Sequence, residues 1–106
     1  MLALPRIFRV RQTFSTERID NIPKEVERQL SRLNLAERVR PGQTVAVTAG
    51  SRGIANLADV LRALVGHLRA LGAQPFIVPA MGSHGGGTSE GQRELLAGYG
   101  ITAASI

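Results

Sequence analysis

The first regular pattern of apolar and polar residues in this chain alternates from one residue to the next. Between residues 6 and 14, Phe8 and Val10 fall on one face of an extended segment, and Arg9 and Arg11 fall on the other. A period of two is typical of a strand with one buried face. The pattern therefore predicts an edge strand over residues 6–14.

Two later runs are more uniformly apolar and predict buried strands. Residues 43–48 form a short run rich in β-branched side chains after the turn signal Pro41-Gly42. Residues 74–78 form a second run of similar length directly after a helical pattern. Runs of this kind are typical of parallel strands covered by helices, and the order strand, helix, strand indicates a βαβ unit.

Three stretches place apolar residues at helical spacing. The first covers residues 22–33, the second covers residues 57–71, and the third begins near Ser89. The second stretch has the longest apolar stripe and ends at Gly72, a residue typical of helix C-termini. An amphipathic helix is predicted in each stretch.

The residues before these stretches predict how the helices begin. Asp20 or Asn21 precedes the first helix and Asn56 precedes the second, and both residue types are common N-caps. Ser89 lies three residues before Gln92, which is the spacing of a capping box.

The predicted order is strand, helix, strand, helix, strand, helix. This order favours an α/β fold, a Rossmann-like three-layer domain with a small, mostly parallel sheet. Residues 1–106 form one predicted domain, and residues 101–106 resemble the approach to a further strand. Three strands are few for a parallel sheet covered on both faces, so the sheet is expected to be completed by downstream sequence or a partner chain.

Composition narrows the class of protein. The net charge is +5, and nine of the thirteen basic residues lie in residues 1–40 among five acidic ones. With only four aromatic residues for base stacking, this mixture favours a solvated basic face over a nucleic-acid interface. The chain has no cysteine, no apolar run long enough for a membrane span and no signal-peptide pattern, so the predicted location is cytoplasmic.

The candidate chemistry lies in two loops that follow the predicted buried strands. In an α/β sheet, ligands bind outside the carboxyl ends of the strands. The first loop contains Ser51, Arg52 and Gly53, and the arginine fork could hold a carboxylate or phosphate while the glycine lets a ligand approach. A surface arginine with no ligand is the alternative interpretation.

The second loop sets His84 among small and flexible residues. It could serve as a general acid or base, a phosphate contact or a metal ligand, or be only a loop histidine. Ser83, Gly85, Gly86 and Thr88 surround it at the start of the third helix and are candidate anion-binding residues.

Spacing limits these possibilities. No second histidine or carboxylate lies at metal-ligand spacing from His84, so no metal site is predicted. The glycines fit neither G-x-G-x-x-G nor the P-loop pattern with its Lys-Ser/Thr. His67 lies beside the apolar stripe of the second helix and is interpreted as a packing residue.

Longer sequence matches support a family resemblance. The segments Thr48-Ala-Gly-Ser-Arg52-Gly, Gly72-Ala-Gln-Pro-Phe-Ile-Val-Pro-Ala-Met-Gly-Ser-His84-Gly-Gly-Gly-Thr88, Glu90-Gly-Gln92 and Tyr99-Gly-Ile101 are distinctive. Together they resemble the N-terminal domain of the lactate racemase family that uses a nickel-pincer nucleotide. The resemblance covers roughly residues 40 to 101, and its most specific part is the strand, the Gly-x-His loop and a helix that threonine caps.

The resemblance implies a role for each loop. His84 matches a histidine that removes or returns the proton on the substrate carbon, and Arg52 matches an arginine that positions the substrate carboxylate. The family passes hydride between the substrate and its cofactor. The racemases carry an aspartate where this chain has Ala49, and a basic residue where it has Gly85.

The same resemblance implies that residues outside this chain complete the enzyme. In the family, the cofactor-anchoring lysine, the nickel-binding histidine and the second catalytic histidine lie beyond the matched region. The chain is therefore expected to be the substrate-side domain of a 2-hydroxy-acid racemase or epimerase, inactive alone and without bound cofactor. Its expected partners are a small 2-hydroxy acid and a second domain or second copy. The alternative is a non-catalytic anion- or nucleotide-binding module.

Overall fold

The computed structural model describes residues 3–50 and 53–106, and within them the chain is a mixed α/β protein. Three helices are present, α1 (Ile22–Ser31), α2 (Leu57–Ala70) and α3 (Ser89–Gly98). Two strands, β1 (Thr44–Ala49) and β2 (Gln74–Pro79), form a parallel sheet. The predicted helices and buried strands are confirmed, with ends shifted by one or two residues.

The α2 helix connects the two strands and supplies much of the core. Its apolar stripe buries Leu61, Val65 and Leu68, so the helix lies against the sheet as a βαβ crossover requires. Residues of β1, the segments that flank β2 and the α3 region complete the core, which includes Val47, Ala49, Ala73, Met81, Leu96 and Ile101. From β2, the partly buried Ile77 packs against this core. Burial of these side chains is the main force that holds the sheet and helices together.

The strand register explains why β2 contains two prolines. Val45 pairs with Pro75 and Ala49 pairs with Pro79, and the amide of Ala80 donates to the carbonyl of Ala49 over 2.7 Å. Backbone groups in a parallel pair alternate between the two edges, so the nitrogens of residues 75, 77 and 79 face away from β1. Proline costs no ladder hydrogen bond at such outward positions.

The two faces of the sheet differ in burial. The odd-numbered side chains of β1 and β2 point toward the helices, and Ala49 is completely buried. The even-numbered side chains lie mostly in solvent, and Phe76 is 50% exposed. Within the described residues, the helices therefore cover one face of this two-stranded sheet.

The structure corrects two strand predictions. Residues 6–14 form no strand, and Ile7 and Phe8 are 96% and 79% exposed. Residues 102–106 form a turn in which the amide of Ile106 donates to the carbonyl of Thr102, in place of the expected approach to a strand. Alternation alone did not create a strand at residues 6–14 because no neighbouring backbone pairs with it.

The α1 helix packs on α2 through a polar contact. Asn21 caps α1, with its side-chain oxygen accepting from the amide of Lys24 at 2.9 Å. His67 of α2 places its Nδ1 atom 2.8 Å from a carboxylate oxygen of Glu27, and only 13% of the histidine side chain is exposed. The prediction that His67 has a packing role is confirmed.

Candidate functional site

The two candidate loops leave the same edge of the sheet. The strands are parallel neighbours, and the last pair in the register is Ala49 with Pro79. The carbonyl of Ala49 accepts a hydrogen bond from the first residue after β2, so the two chain segments begin their loops side by side. Both loops therefore begin outside the carboxyl ends of the strands, which is where ligands bind in α/β sheets.

Half of the first loop lies outside the described residues. Ser51 and Arg52 are not described, so the predicted roles of Ser51 and Arg52 remain predictions. Gly53 is described, and it is exposed with a left-handed φ of 77°. Ile54 follows it at 52% exposure. Before the loop, the side chain of Ala49 points into the core.

The loop that carries His84 is built from left-handed glycines. Met81, buried in the core, anchors its start, and its carbonyl accepts from the amide of His84 at 3.1 Å. His84 opens a short 3-10 turn that ends at Gly87, and Gly85, Gly86 and Gly87 all have φ between 62° and 68°. Side-chain-bearing residues rarely adopt this conformation, so the glycines are required by the course of the backbone.

The first of these glycines is also required by a close approach. A Cβ atom added to Gly85 would lie 2.7 Å from the amide nitrogen of Gln92, and one added to Gly91 would collide with the backbone of Gly85. The loop thus folds back against the first turn of α3, where the backbones of Gly85 and Gly91 are in close contact. By contrast, a Cβ atom at Gly86 would meet nothing within 4 Å.

Thr88 and Gln92 hold this returning loop in place. The hydroxyl of Thr88 accepts from the amide of Gly91 and donates to the carbonyl of Gly85, both at 3.1 Å. The side-chain amide of Gln92 donates to the carbonyls of Gly82 at 2.7 Å and His84 at 3.2 Å. These bonds fix the backbone on both sides of the histidine.

The cap of α3 differs from the capping box predicted from spacing and is the threonine that the resemblance implies. Thr88 is the N-cap of α3, and the predicted capping box of Ser89 with Gln92 is wrong. Gln92 instead reaches back to loop carbonyls, a role that the capping-box spacing did not indicate. At α2, Asn56 holds the predicted N-cap position, but its backbone is left-handed and its side chain makes no cap bond.

His84 is partly buried, while Ser83, Gly86 and Thr88 are exposed. The hydroxyl of Thr88 already has two partners within the loop, so its described role is to cap α3 and close the loop. Gly85 likewise serves the close approach to Gly91. The loop therefore combines a fixed backbone with a half-accessible imidazole, which is the arrangement that an acid-base group requires.

The structure also gives a reason for the two departures from the racemase pattern. Position 49 is 0% exposed, so an ionised aspartate there would enter the core and lose its hydration. Position 85 leaves no space for any side chain, because the backbone of α3 lies against it. Alanine and glycine thus fit the local packing at these two positions.

The described residues do not fit the nickel-holding part of the cofactor that the resemblance implies. They contain no group of three histidine, cysteine, aspartate or glutamate side chains that could hold a metal ion. His67 contacts Glu27 between α1 and α2, whereas His84 lies in the loop after β2.

No helix in the described part of the chain is long and apolar enough to cross a membrane.

Comparisons with protein-family models, with curated proteins and with solved structures found no match.

Proposed function

We propose that this chain is the substrate-side domain of a 2-hydroxy-acid racemase or epimerase similar to the lactate racemases, in a Rossmann-like fold. The observation that supports this most is the placement of the His84 loop. It follows a parallel strand at the same sheet edge as the loop of Arg52, and its backbone is fixed by Thr88, Gln92 and the Gly85–Gly91 approach.

In the proposed role, His84 exchanges the proton of the substrate 2-hydroxyl and not a proton on carbon, because the hydrogen on the 2-carbon is transferred as hydride in this chemistry. Arg52 binds the substrate carboxylate. An imidazole exchanges protons near neutral pH, so it can both accept and return one. A guanidinium binds a carboxylate through two parallel hydrogen bonds and thereby orients the neighbouring carbon that carries the hydroxyl. Ser51, Gly53, Ser83 and Gly86 are the candidate substrate- or anion-binding residues of the proposal.

In this proposal, the residues that hold the nickel-pincer nucleotide lie outside this chain. The racemase proposal therefore includes a second domain that holds the cofactor, and a cytoplasmic location. Racemisation by the 106-residue chain alone, or stoichiometric nickel bound to it, would contradict this division of roles.

Ligand binding provides the direct test. Lactate is titrated into the ¹⁵N-labelled chain, with propionate, which lacks the 2-hydroxyl, as the matched ligand. We expect the resonances of the 82–88 loop and the His84 imidazole to shift with lactate and much less with propionate. H84Q should weaken lactate binding at least fivefold, whereas H67Q, which changes the distant α1–α2 contact, should leave it unchanged.

A non-catalytic anion-binding module is the second candidate, and the exposed glycines before α3 favour it. Backbone amides of successive left-handed glycines at a helix N-terminus can bind phosphate. This candidate predicts that phosphate binds as well to H84Q as to the natural chain. G86N tests the glycines without a clash, because asparagine tolerates a left-handed φ and position 86 is open. Loss of phosphate binding in G86N, with H84Q unaffected, would replace the racemase proposal.

A further inference from the structure

The two outer edges of the sheet are not equivalent. On β2, the outward backbone positions are 75, 77 and 79, and prolines at two of them leave the amide of Ile77 as the one outward N–H of that strand. On β1, the outward positions are Thr44, Ala46 and Thr48, which all carry both an N–H and a carbonyl. Proline is a common way to prevent pairing at a sheet edge, so β2 is protected and β1 is not.

The open edge is also accessible. Thr44, Ala46 and Thr48 are all exposed, and β2 is the only strand that pairs with β1 in the described part of the chain. An exposed strand edge with complete donors and acceptors is a template for another extended segment. The β1 edge therefore has the features of a surface for strand addition.

The chain also contains a segment that pairs with no strand and is exposed along its whole length. We define the arm as residues 6–14, which alternate in polarity and remain unpaired. In an extended segment the even-numbered positions share a face, which would place Phe8, Val10 and Phe14 together. These side chains are 79%, 81% and 71% exposed. Single exposed apolar residues are ordinary, but an aligned row of them marks an interaction surface.

The arm stands away from the body of its own chain. The molecule measures 68 × 35 × 24 Å, and its radius of gyration is 19.1 Å. A compact domain of this length has a radius of gyration of about 13 Å. The chain's own arm therefore leaves its own β1 edge uncovered, while each chain carries both a donor arm and an acceptor edge.

We propose that the arm of a second copy of this chain adds as a strand to the outer edge of β1, and that two copies exchange arms. Phe8 to Phe14 spans seven residues, one more than the six residues of β1, so the apolar face of the arm covers the whole strand. One phenylalanine buries about 150–250 Å², so the four from two arms contribute roughly 600–1,000 Å². With the surface that they cover, the exchanged arms reach the roughly 1,200–2,000 Å² of a stable interface.

The first experiment measures mass in solution by light scattering at about 100 µM chain, a concentration at which weak interfaces of micromolar affinity are occupied. The expected mass is twice the 11.3 kDa of one chain. A46P should give the single-chain mass with an unchanged circular dichroism spectrum, because the nitrogen of residue 46 faces away from β2 and donates no hydrogen bond within the sheet. The nitrogens of Pro75 and Pro79 face away from β1 in the same way. A46S retains the N–H and should remain a dimer.

The second experiment identifies the partner segment without relying on a folded proline variant. The chain has no cysteine, so V10C and A46C can be prepared as separate chains, mixed and treated with a short bismaleimide. We expect a cross-linked product of two chains from the mixture. F8S combined with F14S in the arm should weaken the dimer at least tenfold.

Three results would overturn the proposal. The first is a single-chain mass for the natural sequence at the concentration used. The second is a dimer that A46P and the arm variant leave unchanged, since another surface would then hold it. For the third, V10C and A46C are combined in one chain. A cross-link that forms only within that chain, and not between the separate single-cysteine chains, would show that the arm folds onto its own β1 edge.

Discussion

Residues 6–14 and strand β1 are both predicted as strands from the sequence, yet only β1 is part of the sheet. The β1 strand pairs with β2 along its whole length and buries Val47 and Ala49. The arm pairs with nothing and exposes Ile7 almost completely. The difference shows that an alternating pattern specifies which side chains share a face, whereas a strand also needs a neighbouring backbone and a surface to cover.

The largest expected effect comes from truncating the core beneath β1. L61A removes a side chain that is 3% exposed in α2 and should cost about 2–5 kcal/mol of unfolding free energy, because a cavity remains. I7A in the arm should change the same quantity by less than about 0.5 kcal/mol. Urea unfolding of dilute protein measures both. An equal loss in I7A would show that the arm packs onto its own chain.

The close approach of the His84 loop to α3 gives the next effect. G91A forces a methyl group against the backbone of Gly85 and should cost about 1–3 kcal/mol, as overpacking does. G66A is the matched control, because Gly66 lies inside α2 with nothing within 4 Å of its added Cβ. It should raise stability by roughly 0.5–1 kcal/mol through helix propensity. Thermal unfolding with opposite shifts in the two variants would confirm the contact.

The two asparagines before helices provide a smaller difference. N21A removes the side-chain oxygen that caps α1 and should cost about 1 kcal/mol. N56G should be nearly neutral, because Asn56 makes no cap bond and its left-handed φ of 56° suits glycine. Unfolding monitored by circular dichroism compares them. If N56G is as damaging as N21A, the described start of α2 is wrong.

The smallest effect is a pH dependence of α1. Hydrogen bonds from Arg28 and Gln29 lower the pKa of Glu25 from its ordinary 4.5 to about 2. Because the folded pKa is depressed, ionised Glu25 stabilises α1 above pH 4.5, and this contribution is lost as the pH falls toward 2. Helicity at 222 nm should decline more over this range in the natural chain than in E25Q. Parallel curves would exclude the contribution of this carboxylate.

Much of the candidate site was predictable because it follows from chain order. Two apolar strands joined by one helix must be parallel, so the loops after residues 49 and 79 were expected at one edge, as observed. Gln92 was assigned to a capping box, and its actual role depends on a loop that returns from eight to ten residues earlier. The Gly85–Gly91 approach was missed for the same reason, although the glycine at position 91 inside a helical pattern was a signal for it.

The sequence by itself determined the helices, the two buried strands and the residues that face the core, because these follow from local periodicity and from the entropy of glycine and proline. It also determined that the chain carries one histidine in a glycine-rich loop. The tertiary structure decided which alternating segment became a strand, which edge of the sheet stayed open and which residue capped α3. These outcomes depend on backbone hydrogen bonds and close approaches between residues distant in the chain, and a pattern of side chains along the sequence does not specify such partners.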